Sequence, residues 1–190
     1  CSLEMEFTLS ESNGKIRGYD LDNLCDPVFT VLTSGLGWFN QKQVNIQSWR
    51  AVKKVDNNPG LLIKPVKDID ICIDESSIFF DEEYSGSLPN SATDYEIPMW
   101  IKSFGKIPIL YHNCGLALIF VNINRSIASL STGLVKHFID CLYPILGGDP
   151  GDPDDHKISE LTVKRVKTEE KNKYIRVIVW SDNKKKEVSE

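Results

Sequence analysis

The stretch from Gly115 to Ile123 is nearly all apolar, and it constrains the fold more than any other part of the chain. A short apolar run without alternation reads as a strand covered on both faces, so it belongs in the middle of a sheet. The best helical signal follows it. Leu130, Leu134, Phe138 and Leu142 recur every four residues, with Val135 and Ile139 beside them, which predicts an amphipathic helix over 130–143. Ser129 or Ser131 can cap its start. Pro144 ends or kinks it, and Gly147-Gly148 suits a chain reversal. Asp149 to Asp155 then reads as a turn-rich acidic loop without the ligand spacing of a calcium loop.

The segment Ile158 to Trp180 is expected to form a hairpin. On its first strand Leu161, Val163, Arg165 and Lys167 share a face, apolar at one end and basic at the other. On its second strand Ile175, Val177 and Val179 share one face, and Tyr174, Arg176, Ile178 and Trp180 the other. Further strand signals are the alternation of Leu3, Met5, Phe7 and Leu9, the β-rich run Val28 to Leu32, and the alternation of Ile69, Ile71 and Ile73. Val44 to Val52 reads as a short amphipathic helix with Trp49 on its packed side. Together these signals predict an α+β fold: a single curved antiparallel sheet of about six to eight strands, with two or three helices packed on one side. A chain of 190 residues is read as one domain spanning 1–190, large enough to bury a core.

Charge is unevenly placed. Residues 68–96 hold nine Asp or Glu and no Lys or Arg, whereas residues 156–190 hold ten Lys or Arg against six Asp or Glu. The acidic stretch runs into Ser85-Gly86-Ser87-Leu88-Pro89-Asn90, so residues of about 81–93 are expected to form an exposed loop. A net charge of −5 argues against wholesale coating of nucleic acid, though it allows a local basic patch. The five cysteines are odd in number and never in C-x-x-C spacing. That excludes a disulfide framework or a zinc site as the organising feature and points to free thiols in a reducing compartment. No signal peptide is visible and no apolar run is long enough to cross a membrane. A cytoplasmic setting, extending to the nucleus, is therefore expected, with no membrane partner.

The residues give catalysis little support. His112, His137 and His156 lack metalloprotease spacing, and no nucleophile elbow, phosphate loop or dinucleotide fingerprint occurs. The chain is read as a non-enzymatic protein with no cofactor, metal or catalytic residue. Binding is better supported. Trp38, Trp49, Trp100 and Trp180 are four large aromatic faces. A methylated purine carries a delocalised positive charge and gains cation–π attraction on stacking against Trp, while its phosphates need Arg or Lys within reach. Arg165 and Lys167 are candidates for that role.

With those residues in view, the chain from about 44 to 180 resembles the translation initiation factors that bind the mRNA 5′ cap (initiation factor four-E and its relatives). Ile97-Pro98-Met99-Trp100 is similar to the family's Pro-Met-Trp loop. The 130–147 helix with Asp154-Asp155 after it, Thr162 to Lys167, and Val177 to Trp180 resemble its later elements. Val44 to Trp49 is similar to the helix whose Trp builds its partner-binding surface. The resemblance implies that Trp100 stacks on the base, Trp180 packs beside the methyl edge and Arg165 and Lys167 hold phosphates, while Trp49 helps build a protein-binding groove. Capped RNA or a methylated guanine nucleotide, together with a protein partner, are then the expected ligands. The family's Glu after Pro-Met-Trp is Ile101 here, and its Gly-Gly-Arg-Trp run is Cys114-Gly115-Leu116-Ala117, so cap affinity is expected to be weakened or lost. The alternative is a protein–protein interaction subunit with no nucleotide site.

Overall fold

The computed structural model describes residues 2–10, 19–32, 46–123 and 133–182. Its main sheet has seven strands in the order β3-β1-β2-β8-β5-β9-β4. In chain order these are β1 (Ser2–Leu9), β2 (Ser48–Val55), β3 (Gly60–Val66), β4 (Ile78–Tyr84), β5 (Cys114–Val121), β8 (Ile158–Val166) and β9 (Tyr174–Ser181), while β6 (Gly148–Asp149) and β7 (Asp152–Pro153) make a separate short ribbon. The described helices are α1 (Leu21–Thr30), α2 (Glu96–Ser103), α3 (Gly133–Asp140) and α4 (Tyr143–Leu146). Among the described residues no helix is long and apolar enough to cross a membrane.

The α+β architecture with one large sheet is the expected one, but the sheet is mixed rather than wholly antiparallel. β1 with β2 and β5 with β8 are parallel pairs, and the other four ladders are antiparallel. The connections explain this. α1 lies between β1 and β2 in the chain, and α3 and α4 lie between β5 and β8, and a parallel pair needs such a crossover. The run at 114–121 is indeed the interior strand, buried along nearly its whole length. It also breaks the expected 158–180 hairpin, because β8 and β9 do not pair with each other but flank β5 on either side. The 167–173 loop therefore bridges the end of β5, where Asn122 holds it. Its Nδ2 donates to Thr168 Oγ1 and to the carbonyls of Glu170 and Asn172, and its Oδ1 accepts from the Thr168 amide. Asn122 has φ +54°, a conformation Asn tolerates better than most residues.

All four helices pack on one face. Leu3, Met5 and Phe7 of β1, Trp49 of β2, Leu161 and Val163 of β8, and Ile175, Val177 and Val179 of β9 meet Phe29, Ile97, Phe138 and Leu142 there in one core. Phe138 is fully buried and edge-on to Tyr84 at 5.9 Å, as the every-fourth-residue stripe requires. α3 ends at Asp140, and a turn separates it from α4 within the expected 130–143 span, while Leu130 and the two candidate capping serines lie outside the described residues. Val28 to Leu32 is not a strand. Leu21, Cys25, Val28, Phe29 and Leu32 are buried together, the spacing of one helical face.

The opposite face is only half covered. Ile71 and Ile73 do alternate, but in an extended segment without ladder pairing that lies over Ala117, Ile178 and Trp180. Lys164 fixes that segment by donating to the Ile69 carbonyl at 2.8 Å and to Asp68 at 3.1 Å. The expected loop at about 81–93 begins later than its composition implied. Asp81 to Tyr84 are part of β4, where Arg176 of the neighbouring strand pairs with both Asp81 oxygens at 2.7 and 2.6 Å.

Candidate functional site

The four residues expected to hold a nucleotide do not converge. Trp100 lies on the helix-covered face, in α2, edge-on to Tyr84 at 5.2 Å, Phe80 at 5.5 Å and Phe104 at 5.6 Å. Trp180 lies on the other face, flat over Gly115. A Cβ at Gly115 would overlap the indole ring, so glycine is required by this close approach. Ile71, Ile73 and Ile78 close over Trp180, leaving it 9% exposed. Arg165 shares the face of Leu161 and Val163, in register with Phe120, Ile175 and Tyr84 across the sheet. Three strand spacings of about 4.8 Å put it roughly 14 Å from the Trp100 cluster. Its amide and guanidinium are directed to Gln47, at 2.8 Å to the carbonyl and 3.4 Å to Oε1. Lys167 is exposed, just past the end of β8.

Trp49 corrects two expectations at once. It belongs to β2 rather than a helix, and it is 1% exposed, edge-on to Phe29 at 5.3 Å. It is therefore a core side chain and cannot form a surface groove. Trp38 and residues 44–45 lie outside the described residues. Ile101, where the resemblance calls for Glu, is 1% exposed and faces the core; Ile97 and Ile101, four apart, form the packed stripe of α2.

The stretch from Tyr95 through α2 to Tyr111 concentrates exposed apolar side chains. Ten large hydrophobic residues are exposed among the described residues, and five of them, Tyr95, Met99, Phe104, Ile109 and Tyr111, fall within 95–111. The helix forms because the Asp94 carboxylate accepts from the Glu96 amide at 3.0 Å and Lys102 sits in the last turn, each where the helix dipole favours it. It ends at Gly105, whose φ of +90° suits glycine, with its amide donating to the Lys102 carbonyl. The chain then runs beside α4, where the Leu110 amide donates to Ile145 at 2.9 Å. Lys157 braces both segments, donating to the Leu110 carbonyl at 2.9 Å, the Leu146 carbonyl at 2.7 Å and Asp154 at 2.8 Å. Between these braced walls lies a groove of about 330 Å3, lined by the apolar Ile101, Ile107, Ile109 and Pro144 together with Lys102, Lys106 and Tyr143.

A second feature is a half-sunken group of charges where α1, α3, β2 and the turn 155–157 meet. The Lys53 ammonium, in a residue 9% exposed, donates to the Tyr19 carbonyl at 3.0 Å and the His156 carbonyl at 2.7 Å. Burial lowers the Lys53 pKa, against the pull of Asp20 and Asp155. Asp155 is pushed up to about 7 by burial first and then by Asp20 and Asp22. Burial, with Asp22 nearby, also raises Asp140. Lys136 bonds Asp22 at 3.2 Å and is raised, because Asp22 and Asp140 outweigh its desolvation. Each ammonium here has a partner, and among the described residues no group of His, Cys, Asp or Glu could hold a metal ion. This cluster fastens α1 and the 155–157 turn to the sheet.

The three buried thiols, Cys25, Cys114 and Cys141, are inert by position, whereas Cys72 is exposed. Burial pushes Cys114 up to about 12 and Cys141 up to about 11, and raises Cys25 as well. Comparison of the chain with protein-family models, with curated proteins and with solved structures finds no match.

Proposed function

We propose that this chain is a non-enzymatic protein-interaction module that docks through the outward side of α2 and the 104–111 segment. The observation that carries this reading is the concentration of exposed Tyr95, Met99, Phe104, Ile109 and Tyr111, half of the ten large hydrophobics exposed among the described residues, within one braced stretch of 17 residues. Apolar side chains gathered in this way mark interaction surfaces, whereas single exposed ones need no explanation. Aromatic residues and Met are the types enriched in such interfaces. Of the two readings the sequence offers, this one fits the geometry better. A cap site needs an aromatic face, a second aromatic contact and cations around one ligand, and here Trp100 and Trp180 lie on opposite faces of the sheet.

The test compares the wild-type chain with Met99→Glu, which places a charge in the patch at an exposed position and leaves the core intact. Partner proteins retained from a native extract by the wild type should be lost by the variant. Identical retained sets would refute the reading. A parallel titration with methylated cap analogue, GTP and ATP should leave the tryptophan fluorescence unchanged, and saturable quenching by any of them would refute it as well.

A further inference from the structure

Taking the interaction-module reading as its basis, we infer that the groove between the end of α2, the 105–109 segment and α4 takes a short acidic peptide segment of a partner protein, anchored by a large apolar side chain. The volume of about 330 Å3 is at the small end of ligand pockets, which span roughly 300–1,000 Å3. It suits a side-chain anchor better than a whole cofactor. Three isoleucines and a proline line it, so burial of the anchor supplies the affinity.

The rim sets the sign of the partner. Lys102 and Lys106 line the groove, no Asp or Glu does, and neither lysine forms an ion pair among the described residues. Lys102 instead lies 5.5 Å over the Tyr143 ring and 3.5 Å from its hydroxyl. Its ammonium is thus held at the rim, available to a carboxylate arriving from solvent. Lys102 also sits in the last turn of α2, where a cation is favourable for the helix alone. Lys106, beyond the helix, has no such role. The Asp154 carboxylate, beside Gly147 and Ile109, is already paired with Lys157 at 2.8 Å. Exposed ion pairs contribute little to affinity but select the partner's charge and speed its approach. A nucleotide is a poorer occupant. The groove has no guanidinium, and the one aromatic ring lining it, Tyr143, already has the Lys102 ammonium over its face at 5.5 Å.

The experiment titrates the isotope-labelled full chain with three synthetic peptides. All carry the same Leu and Phe anchors, with flanks of Asp and Glu, of Lys and Arg, or of Ser and Gln. The acidic peptide should bind roughly tenfold more tightly than the basic one, with amide shifts centred on Lys102, Lys106, Ile107 and Tyr143. The double charge reversal Lys102→Glu with Lys106→Glu should invert that order. Equal affinities, shifts centred elsewhere, or no binding of any peptide would overturn the inference. If these fail while Met99→Glu still strips a partner from the chain, the module reading stands and only the occupant falls. Concentration-dependent self-association abolished by the charge reversal would make the occupant a second copy of this chain and would overturn the inference too.

Discussion

Replacing Lys53 with Met tests how the charged cluster holds the fold. The Met side chain keeps most of the stem that packs inside and deletes the ammonium. Two hydrogen bonds from a charged donor are lost, to the Tyr19 and His156 carbonyls, each worth about 1.5–3 kcal/mol. The relief of burying a methyl group in place of a cation offsets part of this, so a net loss of about 3–5 kcal/mol is expected, the range for removing one partner of a buried charged set. For a domain of this size that corresponds to a fall in Tm of roughly 6–20 °C. The loss should grow with pH, because Asp155 gives up its proton near neutrality and the cluster then carries one more uncompensated negative charge. Urea denaturation of wild type and Lys53→Met at pH 5.5 and pH 8 measures both effects. A loss below about 1 kcal/mol, within the range of an ordinary surface substitution, at both pH values would refute the claim that Lys53 ties the α1 entry and the 155–157 turn to the sheet.

Three further outcomes follow from the same structure. Asp155 has a folded pKa raised to about 7, above its unfolded value. Its contribution is therefore full below the unfolded pKa and is lost as pH rises through 7. Stability should fall by about 2 kcal/mol across that window, allowing for partial screening, and a pH series of melts should find the slope flattened in Asp155→Asn. Phe138→Ala should cost roughly 3–5 kcal/mol by chemical denaturation, since the ring is fully buried against Tyr84; an unchanged midpoint would contradict the core assignment. Gly115→Ala forces the Trp180 indole off the β5 backbone, so it should cost about 1–3 kcal/mol and alter the tryptophan emission, whereas a silent substitution would mean the ring is not seated there.

Much of the fold was legible in the sequence because burial writes itself into periodicity. The unbroken apolar run became the interior strand β5, the alternation of Leu3, Met5 and Phe7 became β1, and the every-fourth-residue stripe put Phe138 and Leu142 in the core. The failures are places where short patterns are ambiguous. Val28 to Leu32 has β-branched character, but Leu21 and Cys25 upstream complete a helical face. Trp49 lies in a mixed sequence that fits a helix or a strand. Periodicity also cannot report which strands are neighbours, and so the 158–180 hairpin was expected where β5 intervenes. The candidate site was less legible. Arg165, Lys167, Trp100 and Trp180 each look suited to a ligand, yet local pattern does not specify the face or the end of the sheet that each occupies. The charged cluster escaped notice because Asp20, Lys53, Lys136 and Asp155 are far apart in the chain and meet only through the fold. The exposed stretch from Tyr95 to Tyr111 left a signal that could have been read, since Tyr95 and Met99 fall on the side of α2 away from Ile97 and Ile101.

Photo-crosslinking tests the central claim most directly. A photoreactive amino acid is placed at Met99, on the proposed docking surface, and in a second protein at Lys64, on the exposed edge strand β3. Both proteins are irradiated in native extract. The account predicts a discrete cross-link from position 99 to a partner polypeptide, with none from position 64. Cross-linking to RNA, or a polypeptide captured from position 64 and not from position 99, would contradict it.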